Sequence, residues 1–251
     1  MPDNRLGRRD FLTVGAAVGA TAATAAFDPA EARTYHGQVP WAPHAADVPE
    51  PVRGTTYLFF TADEAAFIEA ATERLVPKDE LGPGARDVGV PLFIDHQLDG
   101  AYGRGARWYM QGPWAKGTPT QGFQSRMPPA DLYRAAIKAI DAHVKTAQAG
   151  KTFATLAPDE QDKVLTDLET GTLDLEGVDA KTFFGMLWQN TKEGMFADPM
   201  YGGNKDMAAW KMLGFPGARY DYTDWVGKQG VRYTGEPVAI MGRPAWTPNK
   251  S

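Results

Sequence analysis

The sequence predicts a mostly α-helical protein, an irregular helical domain with long ordered loops rich in Gly, Pro and aromatic residues. Three observations favour this fold class. Apolar residues recur at helical spacing in several segments, and a Pro or a capping residue stands near the start of each. No segment alternates cleanly between polar and apolar residues for more than a few positions. Gly-rich stretches, above all residues 100–127, separate the helical segments.

The first two predicted helices have clear boundaries. Thr61 can cap the first helix, and Glu64 three residues later completes a capping box. Pro77 ends this helix, whose apolar stripe comprises Ala65, Ile68, Ala71 and Leu75. The second helix has Pro91 in its first turn and ends at Gly100.

An aromatic loop is predicted over residues 100–127. Six glycines interrupt it, and its aromatic residues are Tyr102, Trp108, Tyr109, Trp114 and Phe123. Loops of this length are uncommon in compact domains and are more often functional than idle. The loop is therefore a candidate for binding a partner or a ligand.

The remaining elements are again helical until the chain becomes irregular. They are, in order, a helix from Pro129, a shorter one from Pro158 to Gly171, a longer one capped by Asp179, a Gly-rich turn from Asp198 to Lys205, a short helix around Asp206 to Leu213, and an irregular tail from Gly214.

The N-terminal residues have the pattern of an export signal. Arg8 and Arg9 are followed by Phe11 and by a weakly apolar run, residues 12–26, that is rich in Ala, Gly and Thr. The run is shorter than the roughly 20 apolar residues of a membrane-spanning helix, and it ends in small residues that a signal peptidase accepts. The sequence therefore predicts a twin-arginine signal over residues 1–26, read by the twin-arginine translocase, and a periplasmic mature protein.

Composition divides the rest of the chain and excludes several function classes. Residues 27–58 contain five prolines and are predicted to form an extended linker or strap, followed by a single domain over residues 59–251. The formal charge of −5 argues against nucleic acid as a partner, and no later segment is apolar enough to span a membrane. With no cysteine, the chain has no ligands for an iron–sulfur cluster and no attachment site for c-type haem.

Motifs that carry chemistry are missing from the sequence. It has no dinucleotide fingerprint, no phosphate-binding loop and no His-Glu-x-x-His helix, and its only serines are Ser125 and Ser251. We therefore predict no catalytic, cofactor-binding or metal-binding residue in this chain. His96, with Asp95 and Asp99 nearby, is the weak alternative for acid–base or metal chemistry.

The aromatic residues in and near the loops are the best candidates for a partner interface, because Trp and Tyr often anchor binding. The predicted interface residues are Trp108, Tyr109, Trp114, Tyr201, Asn204 and Trp210. The alternative for each is packing within the chain, since a loop aromatic also folds back on helices.

Several of these segments resemble the gluconate 2-dehydrogenase subunit 3 family, and the resemblance covers about residues 55–225. The motifs that carry it are FFTADEAAFIEAATERLVP at 59–77, GPGARDVGVPLFID at 82–95, YMQGPW at 109–114, GFQ at 122–124, LYR at 132–134 and, most specifically, FADPMYGGNKDMAAWKMLGFPGAR at 196–219. A twin-arginine leader is also typical of the family.

The resemblance implies a role that the residues alone do not. Members are similar to the small, non-catalytic subunit of periplasmic dehydrogenase complexes. A large flavoprotein subunit of the glucose–methanol–choline type would hold FAD and oxidise a sugar or sugar acid, and a multihaem cytochrome c subunit would carry haem c. The small subunit would carry the export signal and help the flavoprotein to mature and stay stable. Two alternatives remain open: a free-standing periplasmic sugar-binding protein, or an enzyme with an aromatic-lined site.

Overall fold

The structure is a computed structural model that describes residues 52, 54–115, 117–118, 120–219 and 221–241. The predicted leader, with Arg8, Arg9 and Phe11, and most of the predicted linker at 27–58 lie outside the described residues. So does the end of the predicted tail, from residue 242 onward.

The described residues form six α-helices and almost no strand, which confirms the predicted fold class. The helices are α1 (Ala62–Leu75), α2 (Val90–Asp99), α3 (Pro129–Ala147), α4 (Pro158–Thr170), α5 (Ala180–Phe196) and α6 (Ala208–Leu213). Short 3₁₀ turns lie at Phe153–Thr155, Pro199–Tyr201, Lys205–Met207 and Thr223–Trp225. None of the helices in the described part of the chain is long and apolar enough to cross a membrane.

The helix starts follow from local hydrogen bonding. The Thr61 side chain accepts the N–H of Glu64, whose carboxylate accepts the N–H of Thr61 in return, so the predicted capping box is present. Asp179 caps α5 by accepting the N–H of Thr182 at 2.7 Å. Pro91 occupies the first turn of α2, where its missing N–H costs nothing.

Helix α5 is central to the packing. It lies against α4 and α2 and also contacts α1, α3 and α6. Aromatic side chains fill the core between these helices: the ring centroids of Phe67 and Phe153 are 4.6 Å apart, and those of Tyr133 and Phe183 are 5.4 Å apart. All four side chains are fully buried. Aromatic pairs at these separations stabilise a core beyond the area that they bury.

Helix α6 begins two residues later than predicted. Asp206 and Met207, which the helical reading included, have φ values of 58° and 56°, in the left-handed region. A right-handed helix cannot pass through such residues, so α6 starts at Ala208.

The tail after α6 is irregular, and it folds back on the domain, where the Ile240 N–H donates to the Asp198 carboxylate at 2.6 Å. The backbone of Ala218 donates a hydrogen bond to Val238, and Val238 donates to Pro216 at 3.0 Å. Within the loop that these contacts close, the Arg219 guanidinium lies over the rings of Tyr222 and Tyr233. The two ends of this loop are therefore held together by backbone hydrogen bonds and its interior by cation–π contacts.

Candidate functional site

The segment Asp198–Met207, here called the glycine turn, links α5 to α6 and is fixed from inside. Asn204 is fully buried; its amide donates to the Ala197 carbonyl at 2.9 Å and its side-chain oxygen accepts the N–H of Ala209 at 3.0 Å. These two bonds join the end of α5 to the start of α6. Because a buried amide is costly when unpaired, they hold the turn in one conformation.

The backbone of the glycine turn is strained. Asn204, Asp206 and Met207 all have positive φ, which is uncommon outside glycine, and only Asn and Asp tolerate it through their short polar side chains. Gly202 has φ 94°, and a Cβ at Gly203 would collide with the Gly194 carbonyl oxygen. Strain of this kind persists only where the surroundings impose it, and it concentrates at functional sites.

Four exposed apolar side chains lie in the segment that includes the buried Trp210 and part of the glycine turn. The Trp210 indole N–H donates to the Phe196 carbonyl at 2.9 Å, and the Phe215 ring packs on Trp210 with centroids 5.3 Å apart. The side chains that remain exposed on this part of the chain, between 41% and 61%, are Phe196, Tyr201, Leu213 and Phe215. We call these four residues the Trp210 face. Exposed apolar side chains mark interaction sites when they form a patch, and these four residues are the candidates for one on this segment.

Two predicted interface residues lie in the interior instead. Asn204 and Trp210 are buried and hydrogen-bonded within the chain, so they support the glycine turn and have little side-chain surface to offer a partner. Their assignment to a partner face stays a prediction, and this burial gives it no support. Both residues stand in or next to a Gly-rich segment, which the sequence suggests is an exposed loop, although these two side chains are buried.

The other four predicted interface residues are placed differently from one another. Tyr201 is exposed on the Trp210 face, and Tyr109 in the aromatic loop is 78% exposed. Trp108 is half-buried; its ring meets that of Tyr102 edge to face and that of Phe123 at a tilt, with centroid distances of 5.6 and 4.6 Å. Trp114 is half-buried in the same loop.

A buried polar network attaches the aromatic loop to the core. The Asn190 amide donates to the Tyr102 hydroxyl at 3.0 Å and to Glu193 at 3.1 Å, and Asn190 accepts the Tyr133 hydroxyl at 2.9 Å. Burial raises the pKa of Tyr133 well above its usual range and raises that of Tyr102 too, where the Asn190 bond opposes it. Both phenols therefore stay protonated at neutral pH. Their hydrogen bonds to Asn190 attach Tyr102 of the aromatic loop to the core.

A groove of about 1000 Å³ runs between the aromatic loop and the start of α5. Trp114 and Phe123 supply apolar surface, and Gln124, Asp179 and Lys181 supply polar groups. An aromatic wall with a few polar side chains is the composition of many small-molecule sites. This groove is the place where the sugar-binding alternative would have to act.

The surroundings of His96 give little support to acid–base chemistry. The carboxylate of the adjacent Asp95 accepts three backbone N–H groups and is not directed at the imidazole. The Nε2 atom of His96 is buried without a hydrogen-bond partner among the described residues. Within that same part of the chain, no three His, Asp or Glu side chains are grouped so that they could hold a metal ion.

Phe196, Leu213 and Phe215 were not predicted from the sequence as interface residues. Each is an apolar residue at or just beyond a helix end, where periodicity does not distinguish a core side chain from an exposed one. Only the packing of the tail and the glycine turn decides which of them stays uncovered.

Comparison with known proteins assigns the chain to a family. The family model described as "Gluconate 2-dehydrogenase subunit 3" matches residues 62–217, more than half of the chain, and the match includes the glycine turn and the whole Trp210 face. Searches of curated proteins and of solved structures gave no significant match. A chain with this helical core and this extent of match belongs to the gluconate 2-dehydrogenase subunit 3 family.

Proposed function

We propose that this chain is the non-catalytic small subunit of a periplasmic, FAD-dependent dehydrogenase complex. Membership in a subunit family supports an accessory role within a dehydrogenase complex. In this proposal FAD is bound by a large flavoprotein subunit of the glucose–methanol–choline type, and haem c by a multihaem cytochrome c subunit. This chain contributes a surface for the flavoprotein and the signal that exports both.

The Trp210 face is the observation that carries the proposal. It lies wholly within the residues that match the family, at the segment whose backbone is most strained. An exposed aromatic and aliphatic surface over a rigid support is the composition of interface cores, where a few large side chains provide most of the binding energy. We infer that this face binds the flavoprotein subunit.

Export and maturation form the second half of the proposal. The Arg8-Arg9-Asp10-Phe11-Leu12 pattern supports twin-arginine export, a route that carries folded proteins. A flavoprotein that has bound FAD before export needs such a route. A leader on the small subunit would export the flavoprotein as well, provided that the two chains associate in the cytoplasm.

Substitutions on the Trp210 face test the binding surface. Tyr201→Ser combined with Leu213→Ser should weaken binding of the cognate flavoprotein at least about tenfold, because truncating central interface side chains costs roughly 2 kcal/mol or more. The melting temperature of the isolated subunit should stay within about 2 °C, since exposed substitutions change stability little. Binding is measured by biolayer interferometry with purified subunits.

The matched control is Tyr222→Ser combined with Val226→Ser. This pair is also exposed and consists of the same two kinds of side chain, but it lies beyond the matched residues 62–217. It should leave binding unchanged. Equal binding by the wild type and both double variants would reject the Trp210 face as the docking surface.

The groove beside Trp114 supports a second candidate, a sugar-binding role for the subunit itself. Titration of the isolated subunit with gluconate, followed by tryptophan fluorescence, tests it: saturable quenching that Trp114→Ala removes would favour this function. The accessory role predicts no saturable change at millimolar sugar.

A further inference from the structure

We propose that Asp95 and Arg134 fasten the segment behind the leader to the helical core, so that a pull on the N-terminal extension is borne by α2 and α3 as well as by the covalent connection to α1. The fastened segment is residues 54–60, here called the strap root. The proposal rests on the proposed export role for its purpose, whereas the fastening itself is a property of the isolated chain.

Asp95 is the centre of the attachment. It is fully buried in the middle of α2, and no Lys or Arg among the described residues forms an ion pair with it. Its carboxylate instead accepts backbone N–H groups from Leu58 at 2.6 Å, Phe59 at 3.0 Å and Phe60 at 2.8 Å. A buried carboxylate is tolerated only when it is fully hydrogen-bonded, so Asp95 and the strap root need each other.

Arg134 from α3 holds the same segment from the other side. Its guanidinium donates to the Phe59 carbonyl at 2.6 Å, lies 4.2 Å from the centre of the Phe59 ring, and pairs with Glu64 at 3.0 Å. The backbone of Phe59 is therefore bonded on its N–H side by α2 and on its carbonyl side by α3. Pulling the chain outward would have to break both sets of bonds.

Two further contacts extend the attachment along the chain. The Tyr57 hydroxyl donates to Glu69 of α1 at 2.8 Å, and Phe60 is buried with its ring 6.2 Å from that of Tyr133. Burial, and then the Glu69 bond, raises the pKa of Tyr57, so its phenol remains a donor.

The attachment uses three separate helices, so it forms only once the core has assembled. α1 contributes Glu69, α2 contributes Asp95 and α3 contributes Arg134. Farther along the N-terminal direction, the Val52 N–H donates to the Met200 carbonyl of the glycine turn at 2.9 Å. Val52 therefore lies beside the turn that supports the Trp210 face.

Hydrogen exchange of the isolated subunit tests the fastening. Asp95→Asn replaces an acceptor with an amide that also carries donors, so exchange at residues 58–60 should accelerate roughly ten- to hundredfold, since hydrogen bonds to a charged acceptor are the strong ones. Exchange in α3 and α5 should stay protected. The control, Asp99→Asn, makes the same change one turn later at an exposed position and should alter nothing. Unchanged exchange at 58–60 in Asp95→Asn overturns the proposal.

A second variant covers the case in which Asp95→Asn does not fold. Arg134 is partly exposed, and Arg134→Gln leaves the buried carboxylate paired while it removes the bond to Phe59. It should loosen residues 58–60 at least about threefold, since one charge-assisted hydrogen bond is lost. Unchanged exchange in this variant also counts against the proposal.

A measurement of export distinguishes a transport role of the fastened segment from a purely structural one. Cells that make the flavoprotein with an Asp95→Asn or Arg134→Gln subunit should form the complex but export less of it than cells with the wild-type subunit. Normal export of the bound flavoprotein by a variant with proven fast exchange would sink the inference and leave the proposed function intact. A wild-type subunit that never binds the flavoprotein would instead sink the proposed function.

Discussion

Some non-glycine residues of the glycine turn have a left-handed backbone conformation, which a Cβ atom disfavours. Asp206 is exposed and has φ 58°, so its Cβ costs energy without any packing in return. Asp206→Gly should therefore raise the stability of the isolated subunit by about 0.5 kcal/mol, because relief of the left-handed strain exceeds the added freedom of the unfolded chain. Chemical denaturation measures the change. A loss of stability of similar size would show that the Asp206 side chain has a stabilising partner.

Asn204 differs from Asp206, because its side chain makes two hydrogen bonds that stabilise the turn. Asn204→Ala removes both hydrogen bonds to the ends of α5 and α6 and leaves Ala in a left-handed conformation. The free energy of unfolding should fall by about 2–4 kcal/mol. An effect under 1 kcal/mol in urea denaturation would mean that the glycine turn is not a fixed support for the Trp210 face.

At the scale of elements, one ion pair joins two helices and makes their packing depend on pH. The Arg74 side chain at the end of α1 binds Asp162 of α4 through two hydrogen bonds, of 2.7 and 2.6 Å. These bonds lower the pKa of Asp162 from its ordinary 3.8. The pair's stabilisation is therefore fully present above about pH 4 and is lost as pH falls through the lowered pKa.

Asp162→Asn should cost about 0.5–1 kcal/mol at pH 7, a modest value because both side chains are partly exposed and screened by solvent. The difference from the wild type should shrink as pH falls below 4 and vanish once the wild-type carboxyl is protonated as well. Denaturation across this pH range measures it. A difference that persisted unchanged after that protonation would assign the effect to packing and not to charge.

Helix positions were predictable because their signals are local. The Thr61 capping box, Pro91 and Asp179 each act within one turn of the chain, and each begins a helix as expected. The start of α6 was not predictable, since the left-handed backbone at Asp206 and Met207 is imposed by the packing around Asn204. The residue types at positions 206 and 207 do not by themselves predict this left-handed conformation.

At the scale of the whole molecule, the fold class and the family follow from the sequence, whereas the exposed face does not. Burial of Asn204 and Trp210 and exposure of Leu213 and Phe215 depend on how the tail folds back over α6. Such contacts join residues that are far apart in the sequence, whereas helix periodicity and capping are local patterns. The segment 196–219 was recognisable from the sequence as the most specific part of the family resemblance, but which of its side chains are exposed was not.

In the proposed function this chain acts only through a companion protein. The isolated subunit should be colourless and without dehydrogenase activity, and it should bind the cognate flavoprotein in solution. Because the three properties are independent, a colourless and inactive chain that binds no flavoprotein would still leave the central claim unsupported.

Export of the flavoprotein is the most direct test of that claim. The flavoprotein is expressed with the wild-type subunit or with one carrying Arg8→Lys and Arg9→Lys, and FAD-containing protein is quantified in the periplasmic fraction. We predict export with the wild type and retention in the cytoplasm with the double variant, although the complex still forms. Equal periplasmic flavoprotein in both strains, or in a strain without this subunit, would contradict the account.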